Sequence, residues 1–189
     1  MCGIVGFVDL ADKSTEAQLK SMVSTLNHRG PDSQNHLLLK RNDHSIGLAH
    51  ARLSIIDLST VANQPMQFEH LQIVYNGEIY NHKEIKAELE LLGHRFKTSS
   101  DTEVILQAYK AWGKEAVHKF IGMFVFAIYD EREDELFLCR DRAGVKPLFI
   151  YQHEDVLLFA SELKAFHKHP SFKKELNVDA IQAYFNFGY

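Results

Sequence analysis

The second residue of the chain combines two reactive groups if the residue before it is removed. Cys2 follows Met1, and loss of Met1 would leave Cys2 with both a thiol and a free α-amine. An α-amine has an ordinary pKa of about 7.7–8.0 and a thiol one of about 8.5, so the amine can accept the thiol proton near neutral pH. One residue would then supply both nucleophile and base. Met-Cys alone also fits an ordinary terminus, but the apolar run Gly3–Asp9 would hold this terminus in the core.

The segment Asn76-Gly77-Glu78 offers hydrogen-bond donors for the carbonyl oxygen of an amide substrate. Attack on an amide builds negative charge on that oxygen, and one fixed donor stabilises the transition state by about 2.7–4 kcal/mol. An Asn side-chain amide beside a Gly backbone N–H supplies two such donors. Asn-Gly is also a common hairpin turn, and the pattern predicts a short strand, Gln72–Tyr75, that ends in a turn here.

Two charged residues are candidates for binding an amino-acid substrate. Arg52 ends an apolar strand, and its guanidinium suits bidentate binding of an α-carboxylate, although a solvent-exposed charge at a strand end would look the same. Asp101 lies in the first turn of a predicted helix and could pair with an ammonium, although the helix dipole favours a carboxylate there in any case. The eleven His residues lack metal-ligand spacing, so no metal site is predicted.

Strands and helices that would position these residues are segregated along the chain. Strands are predicted at Gly3–Asp9, Gln34–Leu39, Ser45–Leu53, Gln72–Tyr75, Gly122–Tyr129, Glu135–Arg140, Leu148–Tyr151 and Val156–Ala160. Helical spacing is found over Leu19–Leu26, Asn81–Gly93 and Val178–Phe185, and from Ser100, which forms a capping-box pattern with Glu103. This order fits two stacked antiparallel sheets flanked by helices better than a parallel, doubly wound sheet.

Composition indicates a soluble, cytoplasmic protein of one domain. The 189 residues carry a net charge of −4 with acids and bases interleaved, so neither a nucleic-acid-binding patch nor a polybasic membrane-binding segment is expected. The longest apolar run, Met123–Tyr129, is too short to span a bilayer. Two cysteines, Cys2 and Cys139, do not make a disulfide framework, and Cys139 is expected to be inert in its apolar strand.

Taken together and in order, the motifs resemble those of the class II glutamine amidotransferases, most closely the N-terminal glutaminase domain of glutamine-hydrolysing asparagine synthetases. The resemblance covers essentially the whole chain. The matching stretches are Met1-Cys-Gly-Ile-Val-Gly6, His28-Arg-Gly-Pro-Asp32, His50-Ala-Arg-Leu-Ser-Ile-Ile-Asp57, Gln64-Pro65, Tyr75-Asn-Gly-Glu-Ile-Tyr-Asn81, Ser100-Asp-Thr-Glu-Val-Ile105, Gly122-Met-Phe-Val-Phe126, Arg140-Asp-Arg-Ala-Gly-Val-Lys-Pro147 and Ser161-Glu-Leu-Lys164.

The resemblance implies the α+β fold of the N-terminal-nucleophile hydrolases, a four-layer αββα sandwich with two mostly antiparallel sheets, formed by residues 1–189. It also implies a role for each candidate. Cys2 would attack the side-chain amide of glutamine with its own α-amine as base, and Asn76 with the Gly77 N–H would form the oxyanion hole. The glutamine-binding residues would be Arg52 for the carboxylate, Glu78 and Asp101 for the ammonium, and Leu53, Ile55 and Ile56 along the pocket wall.

The resemblance further implies a role within a larger protein. Asparagine synthetases carry a second, ATP-using domain with a Ser-Gly-Gly-x-Asp-Ser loop, which is absent from this sequence. The chain would therefore supply ammonia for asparagine synthesis from aspartate, with no cofactor of its own and with ATP and Mg used only by the synthetase domain. The expected partners are L-glutamine, that C-terminal domain and, in the full-length protein, a second copy.

Two alternatives remain open from the sequence. The same glutaminase could serve another acceptor, such as a sugar or a polysaccharide precursor. The chain could instead be a non-catalytic module that binds an amino acid, which retention of Met1 would favour because the α-amine would then be blocked as an amide.

Overall fold

The computed structural model describes residues 2–53 and 63–188. Within these ranges, nine strands pair in antiparallel fashion to form two sheets. The first sheet contains β1 (Gly3–Asp9), β2 (Ser33–Lys40), β3 (Ser45–Arg52), β8 (Phe149–His153) and β9 (Val156–Ala160), in the order β2-β3-β1-β9-β8. The second contains β4 (Met66–Phe68), β5 (Leu71–Ile79), β6 (Gly122–Asp130) and β7 (Glu135–Arg140), in the order β4-β5-β6-β7.

Alternation of side chains along the strands divides the core into three apolar layers. Val5 and Phe7 of β1 face the outer side of the first sheet, which is covered by α1 (Glu16–Ser24) and a 3₁₀ helix at Leu163–Lys168. Ile4 of β1 points towards the second sheet and Val74 of β5 points towards the first, so both lie in the middle layer between the sheets. The outer side of the second sheet is covered by α2 (His82–Leu91), α3 (Asp101–Trp112) and a 3₁₀ helix at Gly113–Lys119. This four-layer αββα arrangement confirms the predicted fold class.

The predicted turn at Asn76-Gly77 is wrong, because β5 continues through both residues to Ile79. The local turn preference is overridden by pairing with β6, which runs from Leu71 opposite Asp130 to Ile79 opposite Gly122. Glycine is required at position 77 by close packing: a Cβ there would lie 2.3 Å from the carbonyl oxygen of Met123. The dipeptide therefore belongs to a paired strand, and its donors are held by a sheet.

The start of α3 is predicted correctly, but only half of the capping box is present. The Ser100 side chain accepts a hydrogen bond from the Thr102 N–H at 3.1 Å, as a helix N-cap does. Glu103, the other half of the pattern, instead accepts the backbone N–H groups of Lys97 and Thr98 at 2.9 and 2.7 Å. The Glu103 carboxylate thus binds the backbone of the preceding loop and joins that loop to the first turn of the helix.

The last helix, α4, spans Val178–Phe187, two residues longer than predicted. It begins at Asn177, whose side chain accepts the Ala180 N–H at 3.1 Å, and none of its residues is buried. It therefore adds nothing to the three apolar layers. Among the described helices, none has the length and apolar character needed to cross a membrane.

Candidate active site

Cys2 lies beside the end of β3, where two backbone contacts fix it. Gly3 pairs with Ala51, which brings Cys2 next to Leu53. The Leu53 N–H donates to the Cys2 sulfur at 3.3 Å, and the thiol faces the Leu53 carbonyl oxygen at 3.5 Å. The Cys2 carbonyl oxygen accepts the Nε–H of Arg29 at 3.0 Å. The nucleophile predicted from the sequence is therefore held on its backbone and has a donor at its sulfur.

Arg29 is itself held by Glu162, a residue to which the sequence alone gave no role. The Arg29 guanidinium and the Glu162 carboxylate are 3.0 Å apart, and His28 and Lys164 contact the same carboxylate at 2.9 and 3.1 Å. Burial acts to raise the pKa of Glu162, but the hydrogen bonds from Arg29, His28 and Lys164 outweigh it and hold the pKa at about 2. The motifs at residues 28–32 and 161–164 are thus in contact with each other, and Arg29 connects them to the Cys2 carbonyl oxygen.

Three of the predicted site residues face the middle layer with Cys2. Along β3, Ile46 and Leu48 lie in this layer, so alternation places His50 and Arg52 on the same side. Val74 of β5 also lies there, which places Asn76 and Glu78 on that side. A hydrogen bond of 3.1 Å from His50 Nε2 to the Tyr75 carbonyl oxygen joins the two strands. The same end of the middle layer therefore contains the side chains of Cys2, Arg52, Asn76 and Glu78.

In the part of the chain that the structure describes, the outer edge of β5 is open beyond Ile73, because β4 pairs only up to that residue. Side chains bind the backbone N–H groups on this edge instead: Gln64 Oε1 accepts the Tyr75 N–H at 2.6 Å, and Asp101 Oδ2 accepts the Ile79 N–H at 3.1 Å. In an antiparallel strand the N–H groups alternate between edges, so the Gly77 N–H points to this same edge. The described part of the chain gives it no acceptor.

Asn76 presents a second donor without a partner. Its side chain is 2% exposed, and its Nδ2 has no hydrogen-bond acceptor among the described residues. A buried donor left unpaired costs about 1–3 kcal/mol, so an adjacent pair of such donors indicates a site that another molecule completes. Two neighbouring N–H donors match the needs of a carbonyl oxygen that gains negative charge.

The other predicted site residues to be placed are Asp101, Arg52, Ile55 and Ile56. Asp101 is buried, and its Oδ2 also accepts the Tyr75 hydroxyl at 2.7 Å, so the carboxylate is fixed at the open edge of β5. Burial raises the pKa of Tyr75 well above its ordinary value, and the charge of Asp101 raises it further. Arg52 is buried and donates to the Asn63 side chain. Ile55 and Ile56 lie outside the described residues.

Cys139, the second cysteine, has no part in this arrangement. Its sulfur is half-buried in β7, and burial raises the pKa of its thiol to about 11. Such a thiol is a poor nucleophile near neutral pH because almost none of it is ionised. Among the described residues, no group of three or more His, Cys, Asp or Glu side chains is placed to hold a metal ion.

The chain is similar in sequence to known proteins along its whole length. The glutamine amidotransferase domain model matches residues 1–189. A putative asparagine synthetase (glutamine-hydrolysing) 2 of Methanocaldococcus jannaschii is 36% identical over 207 positions, covering 100% of this chain and 40% of that protein. Asparagine synthetase B (glutamine-hydrolysing) of Escherichia coli is 40% identical over 173 positions, covering 87% of this chain and 30% of that protein. The chain thus spans 40% or less of the length of these two relatives.

The fold is also found among solved structures. Glutamine phosphoribosylpyrophosphate amidotransferase from Bacillus subtilis superposes with a TM-score of 0.71 at 23% identity, covering 88% of this chain and 43% of that one. This likeness assigns the sandwich to the N-terminal-nucleophile hydrolase fold. With a family model that matches from the first to the last residue, the chain belongs to the glutamine amidotransferase domain family.

Proposed function

We propose that this chain hydrolyses the side-chain amide of L-glutamine to glutamate and ammonia. The observation that carries the proposal is a pair of adjacent donors, Asn76 Nδ2 and the Gly77 N–H, which have no acceptor among the described residues and lie at the end of the layer that Cys2 faces. Acyl transfer from an amide needs a nucleophile and fixed donors for the carbonyl oxygen, and this end of the molecule supplies both.

The reaction begins once Met1 has been removed and the α-amine of Cys2 is free. The amine takes the thiol proton, and the sulfur attacks the amide carbon of glutamine. The oxygen of that amide gains the negative charge and is stabilised by the two donors of Asn76 and Gly77. The carbon–nitrogen bond then breaks, and the amide nitrogen leaves as ammonia with the proton held by the Cys2 amine. Water attacks the resulting thioester, which releases glutamate and restores the thiol.

Selection of glutamine rests on the charged residues around Cys2. The buried guanidinium of Arg52 is the candidate for the α-carboxylate, since a planar fork binds a carboxylate through two parallel hydrogen bonds. Glu78 and Asp101 are the candidates for the α-ammonium. Tyr75 and the Ile79 N–H both bind Asp101 Oδ2, which supports a fixed position for this carboxylate. Leu53 contributes backbone beside the sulfur, and Ile55 and Ile56 stay predictions.

A second part of the proposal concerns the reaction that uses the ammonia. The two relatives are named as glutamine-hydrolysing asparagine synthetases and are much longer than this chain, which supports a role as the ammonia-supplying part of such an enzyme. A synthetase domain would then use ATP and Mg to activate aspartate. We propose residues 1–189 as one glutaminase domain that needs no cofactor, in a cytoplasmic protein that forms a homodimer at full length.

Intact mass and glutamate release, measured on the same sample, test the hydrolysis. We expect loss of the Met1 mass, turnover of glutamine, and no turnover in Cys2→Ala. Cys139→Ala is the matched control, since it removes the other thiol and should keep wild-type turnover. Turnover that survives Cys2→Ala, or processed protein that binds glutamine without releasing glutamate, would contradict the proposed mechanism.

A further inference from the structure

His50 is a fully buried polar side chain that the proposed mechanism does not use. It lies on β3 with 1% of its surface exposed, opposite Ile4 of β1 and two residues before Arg52. Its Nε2 is 3.1 Å from the carbonyl oxygen of Tyr75, on the other sheet. Because a carbonyl can only accept, Nε2 carries the proton and donates. The other ring nitrogen, Nδ1, has no hydrogen-bond partner among the described residues.

The bond from His50 reaches the strand segment that carries the two donors. Tyr75 directly precedes Asn76, and its N–H and carbonyl both lie on the open edge of β5. A neighbouring strand would normally bind both groups. Here Gln64 Oε1 accepts the N–H at 2.6 Å and His50 donates to the carbonyl at 3.1 Å. The peptide before Asn76 is therefore oriented by side chains rather than by strand pairing on that edge.

The hydrogen bonds from Gln64 and His50 connect β5 to different parts of the fold. Gln64 itself donates to Thr102 at 3.2 Å, so it ties β5 to α3, which lies on the outer side of the same sheet. His50 belongs to the sheet that holds Cys2, and its strand pairs directly with β1. The His50 bond is thus a direct polar link between the sheet of the nucleophile and the strand of the oxyanion donors.

We infer that His50 is a positioning residue for glutamine hydrolysis: by holding the Tyr75 carbonyl, it sets the distance and angle between Cys2 and the donors of Asn76 and Gly77. The inference rests on the proposed function. His50 does not touch the reacting atoms in this role. Donors aimed at an oxyanion are effective only when their geometry is fixed in advance, and a displacement of about 1 Å can reduce the rate about 100-fold.

Three variants of the full chain separate this role from general stability. His50→Phe keeps a planar ring in the apolar layer and removes the donor. His50→Gln keeps a donor, because the Gln amide nitrogen lies about as far along the side chain as Nε2, whereas His50→Asn places its amide nitrogen one carbon short. His36→Phe is the matched control, since His36 is also a strand histidine but its ring bonds to the exposed Glu16, at 2.9 Å.

The measurements are kcat and KM for glutamine, the thermal midpoint, and the rate at which iodoacetamide alkylates Cys2. We expect His50→Phe to lower kcat by about 10- to 100-fold with little change in KM, because the lost interaction acts in the transition state. The alkylation rate should stay at the wild-type value, since alkylation does not use the oxyanion donors. His50→Gln should restore most of kcat, and His36→Phe should match the wild type.

Several results would overturn the inference. One is an unchanged kcat in His50→Phe, and another is a loss of kcat and alkylation rate together, in proportion to the loss of folded protein. If His50→Phe does not fold, equal kcat values for His50→Gln and His50→Asn would also overturn it, because only Gln reaches the carbonyl. A wild-type chain that releases no glutamate contradicts the proposed function itself. An active wild type with an equally active His50→Phe contradicts only the role of His50.

Discussion

Replacing Asn76 by Leu should make the protein more stable and much less active. The two side chains have nearly the same shape, so the change mainly removes the buried Nδ2 that has no acceptor among the described residues. An unpaired buried donor costs about 1–3 kcal/mol, and its removal should raise the free energy of unfolding by up to that amount. For a chain of 189 residues, each 1 kcal/mol corresponds to a shift of about 2–4 °C in the thermal midpoint.

The same substitution removes one of the two proposed oxyanion donors. Loss of one such donor costs about 2.7–4 kcal/mol of transition-state stabilisation, which lowers kcat by about 100- to 1000-fold. Glutamate release and urea denaturation, measured on the same preparation, report the two opposite effects. Ser45→Ala is the matched control, because Ser45 Oγ is likewise buried without a partner among the described residues and lies at the end of β3 away from Arg52. It should raise stability and leave kcat unchanged.

Two outcomes would refute this reasoning. If Asn76→Leu keeps kcat within about 10-fold of the wild type, Asn76 is not an oxyanion donor in the sense proposed. If it lowers the free energy of unfolding instead of raising it, the Asn76 amide is satisfied in the folded protein, and the unpaired donor is not a sign of a substrate site.

Three further predictions follow from the surroundings of the site. Gly77→Ala should lower stability by about 1–3 kcal/mol in urea denaturation and abolish glutamate release, because the new Cβ would lie 2.3 Å from the Met123 oxygen. The pKa of Glu162 is lowered from 4.5 to about 2, so its contribution to stability is present above pH 4.5 and is lost as the pH falls towards 2; Glu162→Gln should show a smaller loss over this range. Burial lowers the pKa of His50 from 6.5 to about 3, so below pH 6.5 the unfolded chain binds a proton that the folded chain does not, and stability decreases as the pH is lowered. Denaturation curves of His50→Gln should show a weaker decrease in stability as the pH is lowered from 6.5 to 4.

Much of the fold was predictable because its strands are continuous apolar runs. The boundaries of β1, β3 and β6 differ from the predicted ones by one residue or less. The error at Asn76-Gly77 has a physical cause: local turn preference acts over four residues, whereas the strand is fixed by pairing with β6, some fifty residues away in sequence. The Glu103 prediction failed in a similar way, since the preceding loop competed for its carboxylate.

Individual site residues were predictable by type, but not their mutual support. Cys2, Arg52 and Asp101 are predicted from the sequence because each side chain has a direct chemical use, and their roles stay predictions. The pairing of Arg29 with Glu162 joins residues 133 positions apart, and no local pattern indicates it. Gln64 and His50 were visible only as members of motifs. Their roles depend on the open edge of β5, and an edge is a property of the assembled sheet.

The contact between the first strand and the segment after β9 sets the order in which the site can be assembled during translation. Ile4 and Ser161 exchange two hydrogen bonds, of 3.0 and 2.9 Å, across 157 residues, and Glu162 follows immediately. At about 5–20 residues per second, a ribosome needs roughly 8–30 s to synthesise this interval. During that time Cys2 is already made while the anchor for Arg29 is not. The nascent chain therefore carries its thiol without the support that fixes it, and the complete site forms only after the strands of the first sheet have closed around β1.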